Sequence, residues 1–335
     1  MSGLLTHKDT VNQSKSVWNQ FGEKKWIPYA KINANLPRKD ANEFFNKGIG
    51  KTLVLAGMGE SLEDKIGVLK KYRDRFEILT CDKGFGPLLD HGVKADYVFL
   101  CDSNIPYDYI RPWLDETKDV SLITTVYGNI EWTVPWKGDR YFFIHRDAIE
   151  SEKHFYPIFG NSLRTIPASS NVSNAMFVFF VGCDEYSRVN WAGYDRYLMV
   201  GYDYSWRPGG NYYAWIDPKP KRYYMNHRTM LDVNNDVVFT SENLWFSCRW
   251  LFMYMKAFGQ VVPAMNASGR GLLEIRQIDL EKALSEINPD TRSIGIVRQA
   301  YKTAKTAMEA LEQSKRNFEM AREGLYQWQS ATMQR

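Results

Sequence analysis

Several short polar stretches carry residue types able to bind and move a charged group. One is Gly57-Met58-Gly59-Glu60-Ser61, directly after the apolar residues 53–56. A chain that leaves a strand and enters a helix at once must turn sharply, which glycine permits. The bare backbone lets a ligand approach, and the free N–H groups of the first helical turn attract an anion. Gly57, Gly59 and Ser61 are therefore candidate nucleotide-binding residues, with Ser61 as the expected N-cap and Asp64 three residues on. Carboxylates close three other apolar runs: Asp82-Lys83, Asp102-Ser103-Asn104 and Asp203. Asp102 and Asp203 at such ends could hold a divalent ion, Mg²⁺ for example, or a hydroxyl. Asp82, Lys83 and Asn104 stand beside them as nucleotide contacts. The polar residues 165–174 run into an apolar helix, and Asn266-Ala-Ser-Gly-Arg270-Gly follows a later strand pattern. Arg270 is available there to a phosphate or carboxylate. His145, His154 and His227 are the candidate general bases.

These residues need a scaffold that brings their loops together. Residues 51–104 alternate strand, tight turn, helix, strand, helix, strand, the pattern of a right-handed parallel sheet. Ligands of such sheets sit outside the carboxyl ends of the strands. Further strands are expected at 120–126, 141–145, 197–203 and 261–265, with helices at 172–181 and 243–258, the latter capped by Thr240 or Ser241. The fold class is α/β: a Rossmann-like parallel sheet flanked by helices, over residues 51–284. Residues 1–50 read as a polar tail and a lid segment, where Pro28 argues against a continuous helix. Residues 202–224 are dense in aromatics and read as an ordered loop over the site, able to stack on a base or cover a sugar or pterin. From Ile294 the apolar positions (Val297, Tyr301, Ala304, Met308, Leu311, Phe318, Leu325) step by threes and fours, so residues 285–335 read as a coiled-coil helix that makes the chain a homo-oligomer.

Composition bounds the partners. The 335 residues, 44% hydrophobic and 24% charged, support a substantial core. A net charge of +4 is too small to argue for nucleic acid. No apolar stretch approaches the roughly 20 residues that span a bilayer, and no signal peptide is visible, so a cytoplasmic location is expected. The 4 cysteines are widely spaced and read as buried free thiols, and the 5 histidines lack metal-ligand spacing.

In order along the chain, four motifs resemble those of the motility accessory factor proteins and the related 6-hydroxymethylpterin diphosphokinase-like (MptE-like) family. The family phrase Gly-x-Gly-Pro-Ser-Leu is matched by Gly57-Met-Gly59-Glu60-Ser61-Leu62. Its third-strand phrase is matched by Gly92-Val-Lys-Ala-Asp96-Tyr-Val-Phe-Leu-Cys-Asp102. Asn171-Val172-Ser173 with Gly201-Tyr-Asp203, and Thr240 with Asn266-Ala267-Ser268-Gly269, complete the series, which runs from about Trp18 to Leu284. The resemblance implies a Rossmann-like, sialyltransferase-related domain. It implies that Gly57, Gly59 and Ser61 bracket nucleotide phosphates, that Asp102 and Asp203 face the ligand or a divalent ion, and that Ser173 and Asn266 line the pocket. Two positions depart from the family: Glu60 stands where proline is usual, a carboxylate beside a supposed phosphate cradle, and Ser170-Asn171 replaces glycines.

The expected function is nucleotide-dependent transfer. The favoured form is glycosyl transfer from a cytidylyl-activated (CMP-sugar) donor of the nonulosonic acid type to a protein hydroxyl or small alcohol. The alternatives are diphosphate transfer from ATP, with Mg²⁺, to a pterin alcohol, and a non-catalytic binding or assembly protein.

Overall fold

A computed structural model describes residues 21–145, 155, 157–166, 169, 171–182, 190–216, 227–258 and 262–287. The expected coiled coil lies outside the described residues, as do His154 and Cys183. The strands are β1 (Thr52–Ala56), β2 (Glu77–Cys81), β3 (Tyr97–Leu100), β4 (Ser121–Thr125), β5 (Arg140–His145), β6 (Arg164–Ile166), β7 (Arg196–Val200), β8 (His227–Leu231), β9 (Val237–Ser241) and β10 (Ala264–Asn266). Eight of them form one sheet in the order β10-β7-β1-β2-β3-β4-β5-β6, and every pairing in it is parallel. β8 and β9 make a separate antiparallel hairpin.

The central strands are buried along their whole length because helices cover both faces of a parallel sheet. We number the helices α1 (Ile27–Asn33), α2 (Ser61–Lys71), α3 (Phe85–Asp90), α4 (Val172–Val181), α5 (Glu242–Phe258) and α6 (Leu280–Ser285). α4 is apolar on all sides from Ala175 to Val181, and all of those residues are buried. A helix with no polar face must lie inside the molecule. α4 crosses β1, β2 and β3 after leaving β6, and so carries the chain back to β7 on the far side of β1.

The strand and helix boundaries fall within a few residues of the sequence reading, with three informative exceptions. β6 is three residues that overlap the start of the stretch read as a polar loop, too short to show a period. The β8–β9 hairpin is largely exposed, so β8 lacks the alternation that marks a half-buried strand. Pro28 does not stop the helical path. A π-helical turn, Gly22–Trp26, precedes α1, Ile27 donates its N–H to the Gly22 carbonyl, and Pro28 falls in the first turn of α1, where a missing N–H costs nothing. This N-terminal segment is sewn to the sheet by the buried Asn33, which donates to the carbonyls of Val126 and Gly128 at 3.0 Å each. No helix among the described residues is long and apolar enough to cross a membrane.

Candidate active site

β1 and β7 are neighbours whose chains depart to opposite sides, β1 towards β2 and β7 towards β10. Such a switch point opens a crevice at the carboxyl ends of the strands. Here the two strand-end loops are laced together. Gly57 donates its N–H to Val200 and Gly59 to Gly201, both at 2.8 Å. A Cβ on Gly57 would sit 2.6 Å from the Gly201 carbonyl oxygen, and one on Gly59 would sit 2.7 Å from the Asp203 carboxylate. The two glycines are thus required by the approach of β7's loop. Gly201 itself has φ +70°, a conformation that favours glycine.

The start of α2 already holds an anion. The Ser61 N–H donates to Asp203 Oδ2 at 2.7 Å, and the Ser61 hydroxyl donates to Oδ1. Both Asp203 oxygens are engaged, and the side chain is buried. Burial pushes the Asp203 carboxyl up to about 6, although the Ser61 hydrogen bonds and the nearby Arg270 charge oppose the shift. Ser61 is the first residue of α2, not its cap; the cap position belongs to Glu60, whose side chain makes no capping bond. Asp64 pairs with Arg270 at 2.7 Å instead of closing a capping box.

Glu60 is balanced by a cation the sequence did not point to. Arg207 brings its Nη2 to 2.6 Å from Glu60 Oε1, and its backbone N–H donates to Oε2 at 3.2 Å. The same region of α2 receives the rest of the aromatic loop. The Trp215 N–H donates to Glu63 Oε1 at 2.6 Å, the Ala214 N–H donates to the Met58 carbonyl at 3.0 Å, and Trp215 stacks on His91. Glu60 and Glu63 therefore dock residues 202–216 over the sheet edge.

Between this loop, the strand ends and the start of α4 lies a cleft of about 450 Å³, within the range of small-molecule sites. Gly59, Asp82, Lys83, Asp102 and Ser173 line it, as do Tyr202, Tyr204, Tyr212 and Tyr213. The ends of β2 and β3 supply Asp82 and Asp102 on adjacent strands. Asp82 is buried, and burial pushes its carboxyl up to about 6; the Lys83 charge counters this and the Asp102 charge adds to it. Lys83 Nζ lies 4.4 Å from the Tyr213 ring centroid and 3.3 Å from its hydroxyl. Burial works against the Lys83 charge, but Tyr213 and Asp82 outweigh it and hold its pKa above the usual lysine value. Above these groups α4 begins. Asn171 is its cap, accepting from the Asn174 N–H at 2.8 Å, where the family has glycine. The N–H groups of Val172 and Ser173 bond nothing among the described residues and remain for an anion.

A charge confined at the cleft floor has a measurable cost. A carboxyl with a folded-state pKa above its unfolded value adds stability below the unfolded pKa, near 4 here, and that stability is lost as pH rises through the folded value. For Asp82 the window is about pH 4 to 6. The Asp82→Asn variant is expected to unfold later than the parent at pH 7.5, by on the order of 1 kcal/mol, with the gap narrowing at pH 5 and closing near pH 4. Chemical denaturation at these pH values measures it, and an unchanged or lowered midpoint at pH 7.5 would refute the assignment.

The other expected site residues stand apart from the cleft. Gly57, Ser61 and Asp203 form its support, as described. Asn104 donates its N–H to Asp102 Oδ1 at 2.7 Å and accepts from Lys25 Nζ at 2.5 Å. Asn266 is fully buried, donating to the Leu273 carbonyl and accepting from the Ser268 N–H, so it fixes the loop after β10. Arg270 is bound to Asp64, and its Nη2 is buried without a partner. Among the described residues no three metal-ligating side chains come together. Asp203, with both oxygens taken by Ser61, does not fit a metal. Asp82 and Asp102 do fit Mg²⁺, which is commonly held by one or two carboxylates together with substrate phosphates.

Parallel sheet and switch point together define a Rossmann-like α/β domain, with a polar cleft at the carboxyl ends of its strands. The chain belongs to the family described as 6-hydroxymethylpterin diphosphokinase MptE-like, which it matches over residues 29–207, more than half its length. That span includes the ends of β1 to β7, the start of α4 and Arg207; α5 and Arg270 follow it. A comparison with curated proteins finds no match. Among solved structures the chain is similar in fold to the MAf glycosyltransferase from Magnetospirillum magneticum AMB-1, at 15% identity and a TM-score of 0.54. The similarity covers 88% of this chain and 43% of that one, so the chain spans less than half the length of that relative.

Proposed function

We propose that this protein is a nucleotide-dependent transferase, and that its donor is a cytidylyl-activated sugar of the nonulosonic acid type. The observation that carries the reading is Lys83, a cation in a cleft that the N-terminus of α4 also lines. A phosphate between Lys83 and the N–H groups of Val172 and Ser173 gains charge-assisted hydrogen bonds on two sides. The same groups stabilise the negative charge that grows on the leaving phosphate as the bond to the sugar breaks. Tyr212 and Tyr213 offer ring surface to the base or sugar. Asp203 acts at one remove, holding the Gly57–Gly59 turn and α2 in register with β7. Fold likeness to a glycosyltransferase supports the sugar donor over the other nucleotides.

A second reading, diphosphate transfer from ATP to a 6-hydroxymethylpterin-like alcohol, is favoured by one observation: Asp82 and Asp102 on adjacent strand ends suit Mg²⁺ between carboxylates and phosphates. The ion would neutralise charge on the phosphates there. In either reading the acceptor is an alcohol, small or on a protein. A thermal-shift series with CMP, CTP and ATP, each with and without Mg²⁺, separates them. Stabilisation by the cytidine ligands without metal is the expected result, on the order of 2–3 kcal/mol at a hundredfold excess over Kd. Stabilisation by ATP only with Mg²⁺ would move the assignment to diphosphate transfer, and no shift with any of them would remove the transferase reading.

A further inference from the structure

The cleft is lined from the carboxyl ends of several strands, and the side chains at β2 differ from those at β5. At the β2 end stand Lys83, Tyr213 and Tyr212, packed against one another; at the β5 end stands His145. β5 is three places from β2 in the sheet, a backbone separation of roughly 14 Å at the usual strand spacing. Side chains reaching inward from both ends leave room for one bond-forming centre between them. We propose that the β5 end is the acceptor's half of the cleft and that His145 is the catalytic base which takes the proton from the attacking hydroxyl. This rests on the transferase reading above.

Several other titratable groups in the cleft are unsuited to that step: burial raises the Tyr202 and Tyr204 hydroxyls well above their usual value, and Tyr213 accepts from Lys83. Burial pushes the Cys81 thiol up to about 12 and the Cys101 thiol well above its usual value, so both stay protonated. Lys83 stays charged, with no lone pair to offer. Asp82 precedes Lys83 and Asp102 closes the neighbouring strand, so in this reading both fall on the donor's side of the cleft. Of the other histidines raised by the sequence, His227 is exposed on β8 with its ring 4.2 Å from Phe239, and His154 lies outside the described residues. His145 alone of these combines a proton-accepting ring with a place in the cleft away from the phosphate.

The step balances without a further reactant. The hydroxyl oxygen forms a bond to the electrophilic centre, and the bond from that centre to the leaving phosphate oxygen breaks, its electron pair passing to the phosphate. The hydroxyl proton goes to the His145 ring, which becomes an imidazolium. The electrophile is the anomeric carbon of a CMP-sugar or the β-phosphorus of ATP; the base's task is the same.

The test uses the full chain with two donors in parallel: CMP-N-acetylneuraminate, following CMP release, and ATP with 6-hydroxymethyldihydropterin and Mg²⁺, following AMP release. With the donor that the parent turns over, His145→Ala should lower kcat by at least ~100-fold. Donor affinity by calorimetry should stay within about twofold of the parent. Added imidazole should restore part of the lost rate, which a merely structural histidine would not allow. Undiminished turnover, or a loss that follows lost donor affinity without imidazole rescue, overturns the role of His145 while leaving the transferase reading in place. A parent that binds and turns over neither donor overturns that reading, and this one with it.

Discussion

The Asp203→Ala variant should be severely destabilised, losing about 3–5 kcal/mol against the parent, out of the 5–15 kcal/mol typical of a folded domain. The carboxylate is buried and accepts both the N–H and the hydroxyl of Ser61. Its removal leaves two buried donors at the start of α2 unpaired, each costing about 1–3 kcal/mol. It also opens a gap beneath Gly59, whose close approach to the carboxylate explains the absence of a side chain there. Asp203→Asn is a milder change, because the amide oxygen can still accept one bond while the NH₂ faces a donor. Equilibrium unfolding in urea measures both, and an Asp203→Ala variant within 1 kcal/mol of the parent would show that the carboxylate does not hold the two loops together. The pH dependence has a defined sign. Burial raises the Asp203 pKa to about 6, so its protonated form favours folding at low pH and that contribution is lost as pH rises through about 6. The parent's unfolding midpoint should accordingly decline between about pH 4 and 6 and level off above that.

Lys83→Ala should weaken nucleotide binding by about 10- to 100-fold, the worth of one charge-assisted hydrogen bond to a phosphate. Lys83 is half-buried, with its ammonium held against Tyr213, and it enters the cleft that the N-terminus of α4 also faces. Stability should change little, since the side chain bridges no core elements. Lys83→Arg keeps the charge but not the compact ammonium, and should recover only part of the affinity. The parent's affinity should also fall with added salt while that of Lys83→Ala falls less steeply. Calorimetric titration with CMP at two salt concentrations distinguishes these outcomes, and equal affinity of parent and Lys83→Ala would place the phosphate elsewhere.

Much of the scaffold was legible because its signals are local. Apolar runs of four to six residues broken by glycine or aspartate mark β1 to β5 and β7, and the unbroken apolar stretch after Asn171 marks α4. The convergence of strand ends followed from parallel winding alone, and it does bring Gly59, Asp82, Lys83, Asp102 and Ser173 to one cleft. Finer roles were hidden because they depend on partners distant in sequence. Ser61 and Asp203 are 142 residues apart, and only their contact shows that α2's anion site is filled from within. Arg207 lies 147 residues from Glu60 and makes its burial tolerable, which no local pattern announces. Asn266 and Arg270 have the residue types of a binding loop, yet neither lines the cleft: Asn266 is bonded within the loop after β10, and Arg270 is paired with Asp64.

A crystal structure of the protein soaked with CMP tests the central claim most directly. The expected result is one nucleotide in the cleft, with its phosphate within hydrogen-bond distance of Lys83 Nζ and the Ser173 N–H. A nucleotide bound away from Lys83 and the start of α4, or a cleft left empty at saturating CMP and ATP, would contradict it.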